Sequence, residues 1–391
     1  MSNKTGPLEG IRIVDMTSVL MGPFATQILA DYGADVIKIE SEEGDLLRLA
    51  GAMRNPKMGS LFLQANRNKR SVVLDAKTGE GRAALLKLCA EADVFVSNIR
   101  PAALKRLGMG YDDVKVHNPD IIYASLVGYG QAGPYKDRPA YDDLIQGISA
   151  IPSLASRVHG TDPQYVPLTM ADKVTGISAA HAILAALVYK GRTGRGQSIE
   201  VPMFEVMSQF VLSDHLGGHC FEPAVGPTGY SRLLSPDRRP YQTSDGFISA
   251  LVYTDDHWKR FFDLLGKPEE YLDTPLFSDH ATRTRNYDQA YGFLASVMKT
   301  RTSAEWQVAL ENHDIPWAPA HSIEELIEDP HLKAVEMFKT MEHPSEGKIR
   351  MMTPPITFSL TPSSVYRHPP NIGEHTDEVL AEFGIKSPRK V

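Results

Sequence analysis

The sequence predicts an α/β protein built on a parallel, doubly wound sheet. Short apolar runs alternate with stretches of helical period over residues 11–127, the pattern of buried strands joined by crossover helices. Residues 11–17 are the first expected strand, 18–23 the turn after it, and 24–32 a helix opened by Pro23. Residues 34–40 form a second strand, so the chain begins with a βαβ unit. The excursion 41–60, with Gly44, Gly51, Pro56 and Gly59, is long for a compact domain, and loops of that length often serve function. A third strand lies within 68–75, a helix in 79–92, a fourth strand in 93–98, a short helix in 101–107 and a fifth strand in 121–127.

Gly128-Tyr-Gly130-Gln-Ala-Gly133 matches the dinucleotide pattern GxGxxG, but the context is wrong. That motif needs its third glycine in the first turn of a helix, and here Pro134 and Pro139 follow at once. It reads as a turn. Residues 142–150 are expected as a further helix, followed by an irregular Pro-containing segment up to Asp172. Thr193-Gly-Arg-Gly-Gln197 leads into a strand at 198–201 and a helix at 203–216. Glycine and proline recur over 217–240 around Asp237-Arg238-Arg239, which reads as a linker. A second block occupies 241–328, with a strand at 247–252 and helices near 257–265 and 304–312. Beyond Pro330 the pattern is strand-rich and ends in a short capped helix within 373–384.

At 391 residues the chain is long enough for two cores. Its 42% apolar and 23% charged content is that of an ordinary globular protein. A net charge of −7 argues against nucleic acid or an anionic membrane as partner. No apolar run reads as a membrane span and no signal-peptide core is visible. With only Cys89 and Cys220 present, a reducing cytoplasm is the expected location. The 13 histidines include no HExxH pair, so no metal site is expected.

Residues 166–197 organise the chain. From Lys173 onward Val174, Ile177, His181, Leu184 and Val188 recur at helical spacing, while Gly176, Ser178, Ala179, Ala180, Ala182, Ala185 and Ala186 keep most of the remaining surface small. Such a helix is expected deep in the domain, with His181 packed in its core. Asp172 stands at its start, where a carboxylate accepts backbone N–H groups and the helix dipole favours its ionised form. Two readings remain open from these residues: an ordinary N-cap, or a carboxylate nucleophile.

Several motifs occur in a fixed order. They are Leu8-Glu-Gly-Ile-Arg-Ile-Val-Asp15 with Gly22-Pro23, Gly33-Ala-Asp-Val-Ile-Lys-Ile-Glu40, Asn68-Lys-Arg-Ser71, and Asn98-Ile-Arg-Pro101 with Leu107-Gly108. Pro139-Ala-Tyr-Asp142, Thr193-Gly-Arg-Gly-Gln197 and Gly373-Glu-His-Thr376 complete the set. Together, over residues 7–384, they resemble the family III CoA-transferases, relatives of the α-methylacyl-CoA racemases. The resemblance implies a Rossmann-like large domain from residues 1–220 together with 330–391, and a linker and smaller α+β domain at 221–329. It also implies an interlocked homodimer.

The resemblance places the catalytic aspartate on Asp172, where it would carry acyl anhydride and CoA thioester intermediates. Coenzyme A would be substrate and product rather than a permanently bound cofactor, passing from an acyl-CoA donor to a small carboxylic acid. Its contacts would fall on Leu20 and Met21, on Leu74, Asp75, Ala76 and Lys77, and on Asn98, Ile99, Arg100 and Arg106. Pro139, Ala140, Tyr141 and Asp142 complete them. Two departures bear on the acid. The stretch 226–239 lacks the glycine run of formyl-CoA transferases, and Pro139 replaces a frequent lysine. Arg232, Arg238 and Arg239 are candidates to meet an acceptor carboxylate, for instance of a small dicarboxylate. The alternatives are an α-carbon racemase and a non-catalytic CoA-binding oligomer in which Asp172 only caps its helix.

Overall fold

The computed structural model describes residues 5–386. It divides into two compact units, Met1–Ser149 with Val166–Gln209 and Pro330–Val391, and Ala150–Tyr165 with Phe210–Asp329. Against the sequence reading, the division falls at residue 209 rather than 220, and 150–165 groups with the later block. That segment is also not irregular. Ile151–His159 is a helix, entered through a left-handed Ala150 and left through a left-handed Gly160. Pro152 near its start is compatible with a helix, because the first turn needs no N–H there.

The first unit carries β1 (Arg12–Met16), β2 (Asp35–Glu40), β3 (Lys69–Val73), β4 (Val94–Ser97), β5 (Ile122–Val127) and β6 (Ser198–Pro202). They form one parallel sheet in the order β3-β2-β1-β4-β5-β6. This is the doubly wound order whose reversal between β1 and β4 opens a crevice at the carboxyl ends of the strands. Apolar residues of the strands, such as Val14, Ile37, Val72 and Phe95, pack with Leu85 and Leu88 of helix Gly79–Ala90. Helix Thr376–Glu382 adds Val379 and Leu380 to that core. The segment before it seals the edge of β3. Thr376 Oγ1 accepts from the Val73 N–H at 3.1 Å and the Ser71 carbonyl from the His375 N–H at 3.0 Å. An otherwise open sheet edge is thereby satisfied. The hairpin β10 (Phe338–His343) and β11 (Gly347–Met352) also belongs to this unit.

Charge is buried under the crevice. Lys38 Nζ meets Asp45 at 2.8 Å, Arg48 meets Glu40 at 2.7 Å, and Lys69 meets Asp15 at 3.2 Å, with side chains at most 1% exposed. Burial lowers the Lys69 ammonium to about 8, against the pull of Asp15.

Helix Met170–Thr193 corrects the sequence reading of its faces. Gly176, Ala179, Ala180, Ile183 and Ala186 are the buried side. The larger stripe expected inside is open, with Ile177 53% and Val188 61% exposed and His181 on the surface. The small residues win because they let helix Met21–Asp31 pack against this side. A Cβ at Gly176 would lie 2.8 Å from the Met21 carbonyl oxygen. This helix also has the length and apolar character of a membrane span, contrary to the expectation that no such run exists.

In the second unit β7 (Tyr241–Gln242), β8 (Phe247–Ala250) and β9 (Trp317–Pro319) form an antiparallel sheet. Its core is aromatic. Trp258, Phe261 and Phe262 of helix Asp255–Leu264 pack with Phe277 and Trp306. This unit is therefore α+β.

Candidate active site

At the carboxyl ends of β1, β4, β5 and β6 the first unit has a cavity of about 430 Å³. Its walls come from the segments after those strands, and Asp172 lies in it. Asp172 is not an N-cap. The helix begins at Met170 with Thr169 as its cap residue, so Asp172 occupies the first turn. The cap is supplied from elsewhere: the Asp172 N–H donates to Asp142 Oδ1 at 2.9 Å. Asp142 Oδ2 accepts from Gln146 Nε2 at 2.7 Å. Gln146 also donates to the Leu168 carbonyl at 3.0 Å and accepts from the Val166 N–H at 3.0 Å. Buried Asp142 and Gln146 thus fix both the helix start and the strand of chain leading to it.

Partial burial raises the Asp172 carboxyl from 3.8 to about 7, the negative charge of Asp142 pushes the same way, and Lys173 opposes both. The group is poised between its acid and base forms near neutrality.

The loop after β1 lines the same cavity. Ser18 and Asn98 exchange two hydrogen bonds, the Ser18 N–H to Asn98 Oδ1 at 3.0 Å and Asn98 Nδ2 to the Ser18 carbonyl at 2.8 Å. Val19 adopts a left-handed backbone (φ 65°) and its N–H donates to Asp45 Oδ1 at 2.8 Å. That strained residue is held by the buried Lys38–Asp45 pair. On the far wall Gly128 is pressed against Ala140 so closely that a Cβ there would collide with it. Glycine is needed for this close approach.

The structure brings most of the expected site residues together. Leu20, Met21, Asn98, Ile99 and Arg100 line the Asp172 cavity, as do Pro139, Ala140, Tyr141 and Asp142. Leu74, Asp75, Ala76 and Lys77 line a second cavity of about 330 Å³, which shares Ser18, Leu46 and Ile99 with the first. The two adjoin as one extended cleft. Arg106 ends helix Pro101–Arg106 and lines neither. Lys136 and Arg138 do line the Asp172 cavity, although sequence reading missed them. The signal was present, since they immediately precede Pro139-Ala-Tyr-Asp142. The Arg138 guanidinium lies 3.9 Å from the centre of the Tyr135 ring, a cation–π contact that orients it. Arg100, Lys136 and Arg138 line the cleft as cations, a donor set suited to phosphate. Among the described residues no group of His, Cys, Asp and Glu side chains converges as a metal site would require.

The family model described as CoA-transferase family III matches residues 8–376. The chain is similar to the succinate–glutarate CoA-transferase of Agrobacterium fabrum, at 33% identity over 98% of this chain and 97% of that protein. It is 31% identical to the human succinyl-CoA:glutarate CoA-transferase, over 97% of this chain and 86% of that one. The crystal structure of a CAIB/BAIF family protein from Brucella suis superposes with a TM-score of 0.80 at 30% identity, covering 97% of this chain and 100% of the other. The chain belongs to CoA-transferase family III and is an enzyme that moves CoA between an acyl-CoA and a carboxylate.

Proposed function

We propose that transfer runs through covalent intermediates on Asp172, with the cleft holding CoA and the free acids being short dicarboxylates. The observation that carries the reading is the place of Asp172, in a helical first turn on the wall of a cleft lined by most of the expected CoA contacts.

The ionised Asp172 oxygen attacks the thioester carbonyl, the C–S bond breaks, and CoA leaves as a thiolate, so that the acyl group remains on Asp172 as a mixed anhydride. The thiolate returns to the aspartyl carbonyl and expels the donor acid, leaving an aspartyl-CoA thioester. The acceptor carboxylate attacks that thioester and releases the thiolate again. The thiolate then attacks the acceptor acyl carbon, which frees Asp172 and completes the new thioester. Each tetrahedral oxyanion needs N–H donors. The Leu20 and Met21 N–H groups are suited to this, since they line the cavity at the start of helix Met21–Asp31. Asp142 is a positioning residue, holding the Asp172 backbone through Oδ1. Arg100, Lys136, Arg138 and Lys77 meet the CoA phosphates.

Similarity to the two glutarate-transferring relatives supports dicarboxylates as the acid class. The open Ile177–Val188 stripe supports the homodimer that the family resemblance implies, since a second copy would cover it. The free cysteines Cys89 and Cys220 suit a cytoplasmic location.

Asp172→Ala and Asp172→Asn are each expected to abolish transfer from succinyl-CoA to glutarate while binding of CoA persists. Mass spectrometry of the wild-type enzyme mixed with acyl-CoA should detect the adduct on the peptide containing Asp172. Substantial transfer by either folded variant would remove the nucleophile assignment.

A further inference from the structure

The second unit contains its own cavity, of about 260 Å³, and its charge is unusual. Arg232, Arg238 and Arg239 line it, together with the phenols of Tyr241 and Tyr291. Pro240, Ala250 and Leu251 supply an apolar wall, and among the described residues no carboxylate lines it. Arg232 is pre-set: its Nε donates to Tyr291 Oη at 2.8 Å and its guanidinium carbon stands 4.8 Å from the Tyr253 ring centre. Its two terminal nitrogens have no acceptor among the described residues, and the Tyr291 hydroxyl hydrogen remains free to donate. Arg239 has one carboxylate, Asp237, at 3.1 Å. Arg238 has no ion-pair partner among the described residues.

Three cations around one small cavity repel each other, and a single carboxylate leaves most of that charge uncompensated. An occupant with two negative charges would balance it. Guanidinium forks match carboxylates in bidentate fashion, and the apolar wall suits the methylenes between them. The volume lies just under the roughly 300–1,000 Å³ of ordinary small-molecule pockets, so it admits a short acid and not CoA.

We propose that this cavity binds a short aliphatic dicarboxylate through Arg232 and Arg238, with Arg239 at its rim. This binding does not rest on the transferase reading above.

Calorimetric titration of the full-length, CoA-free protein with glutarate tests it. Wild-type protein should bind glutarate at least ~10-fold more tightly than butyrate or inorganic phosphate, the gain expected of one additional charge-assisted hydrogen-bonded pair. Arg238→Gln should weaken glutarate binding by at least ~10-fold with the melting temperature unchanged, and Arg232→Gln by as much or more. Asp172→Ala protein, titrated in parallel, should bind glutarate like wild type, which separates this inference from the covalent mechanism. Unchanged glutarate affinity in both arginine variants, or equal affinity for butyrate or phosphate, would overturn the site.

Discussion

A carboxylate that attacks a thioester must be ionised, yet burial and the neighbouring Asp142 hold Asp172 up at about 7. The same shift makes the ionised form a stronger base and nucleophile than an exposed carboxylate. Activity should therefore rise with pH along a limb centred near 7. Asp142→Asn keeps an oxygen for the Asp172 N–H but removes the charge, so that limb should move to lower pH; a limb that stays in place would show Asp142 does not act through its charge. The stability consequence has a definite sign. Between about 4 and 7 the unfolded chain releases this proton while the folded chain keeps it, so ionisation costs folding free energy as pH rises. Asp172→Asn should gain nothing at pH 3.5 and be more stable than wild type at pH 8. The gain is at most ~4 kcal/mol, less whatever solvent in the open cavity screens. Urea denaturation at both pH values measures it. One neighbour also separates transfer from racemisation. Among the described residues Tyr141 lines the cavity and no histidine does. A phenol is a poor proton acceptor at neutral pH, where an imidazole is well matched. No α-deuterium should enter 2-methylacyl-CoA in heavy water; rapid incorporation without transfer to any acid would favour a racemase.

At the scale of elements, the loop that lines the cavity with Asp172 is built on buried charge. Asp45 receives the Val19 and Leu47 N–H groups on one oxygen and the Lys38 ammonium on the other. Asp45→Ala would leave Lys38 buried and unpaired, and a loss of ~3–5 kcal/mol is expected on urea denaturation. The variant should also lose transfer activity, because Val19 no longer has an anchor. A loss below ~1 kcal/mol would show that water replaces the carboxylate. Such features were illegible beforehand. Lys38, Arg48 and Lys69 look like surface residues in a sequence, since nothing local reveals a partner brought in by the fold. The strands were legible because parallel strands are apolar throughout and turn residues bound them. The long helix was misread for a physical reason. Its larger apolar side chains formed the clearer periodic stripe, but its small ones allow the closer packing and so face the core.

For the molecule as a whole, sequence motifs located most of the cleft, because the segments that line it follow successive strand ends. Arg106 lines neither cavity, and Lys136 and Arg138 were missed, since a helix or turn a few residues long decides which way a side chain faces. The proposed homodimer has a measurable signature. If the two copies are interlocked, sedimentation should show one dimeric species at every dilution. Differently tagged preparations should not exchange subunits until unfolded. An active, exchangeable monomer would contradict that assembly. Ile177→Glu, on the exposed stripe, should lower the yield of folded dimer.

The order in which the chain leaves the ribosome meets an obstacle in this architecture. The first unit draws on three separated stretches, and the hydrogen bond from Val73 to Thr376 joins positions 303 apart. Strand β3 emerges early, yet its edge stays open until almost the whole chain has been made. Nearly all of the second unit lies in the uninterrupted stretch Phe210–Asp329, which can collapse on its own aromatic core in the meantime. Synthesis thus exposes an unpaired strand edge for most of its duration, which is the condition under which nascent chains recruit chaperones or aggregate.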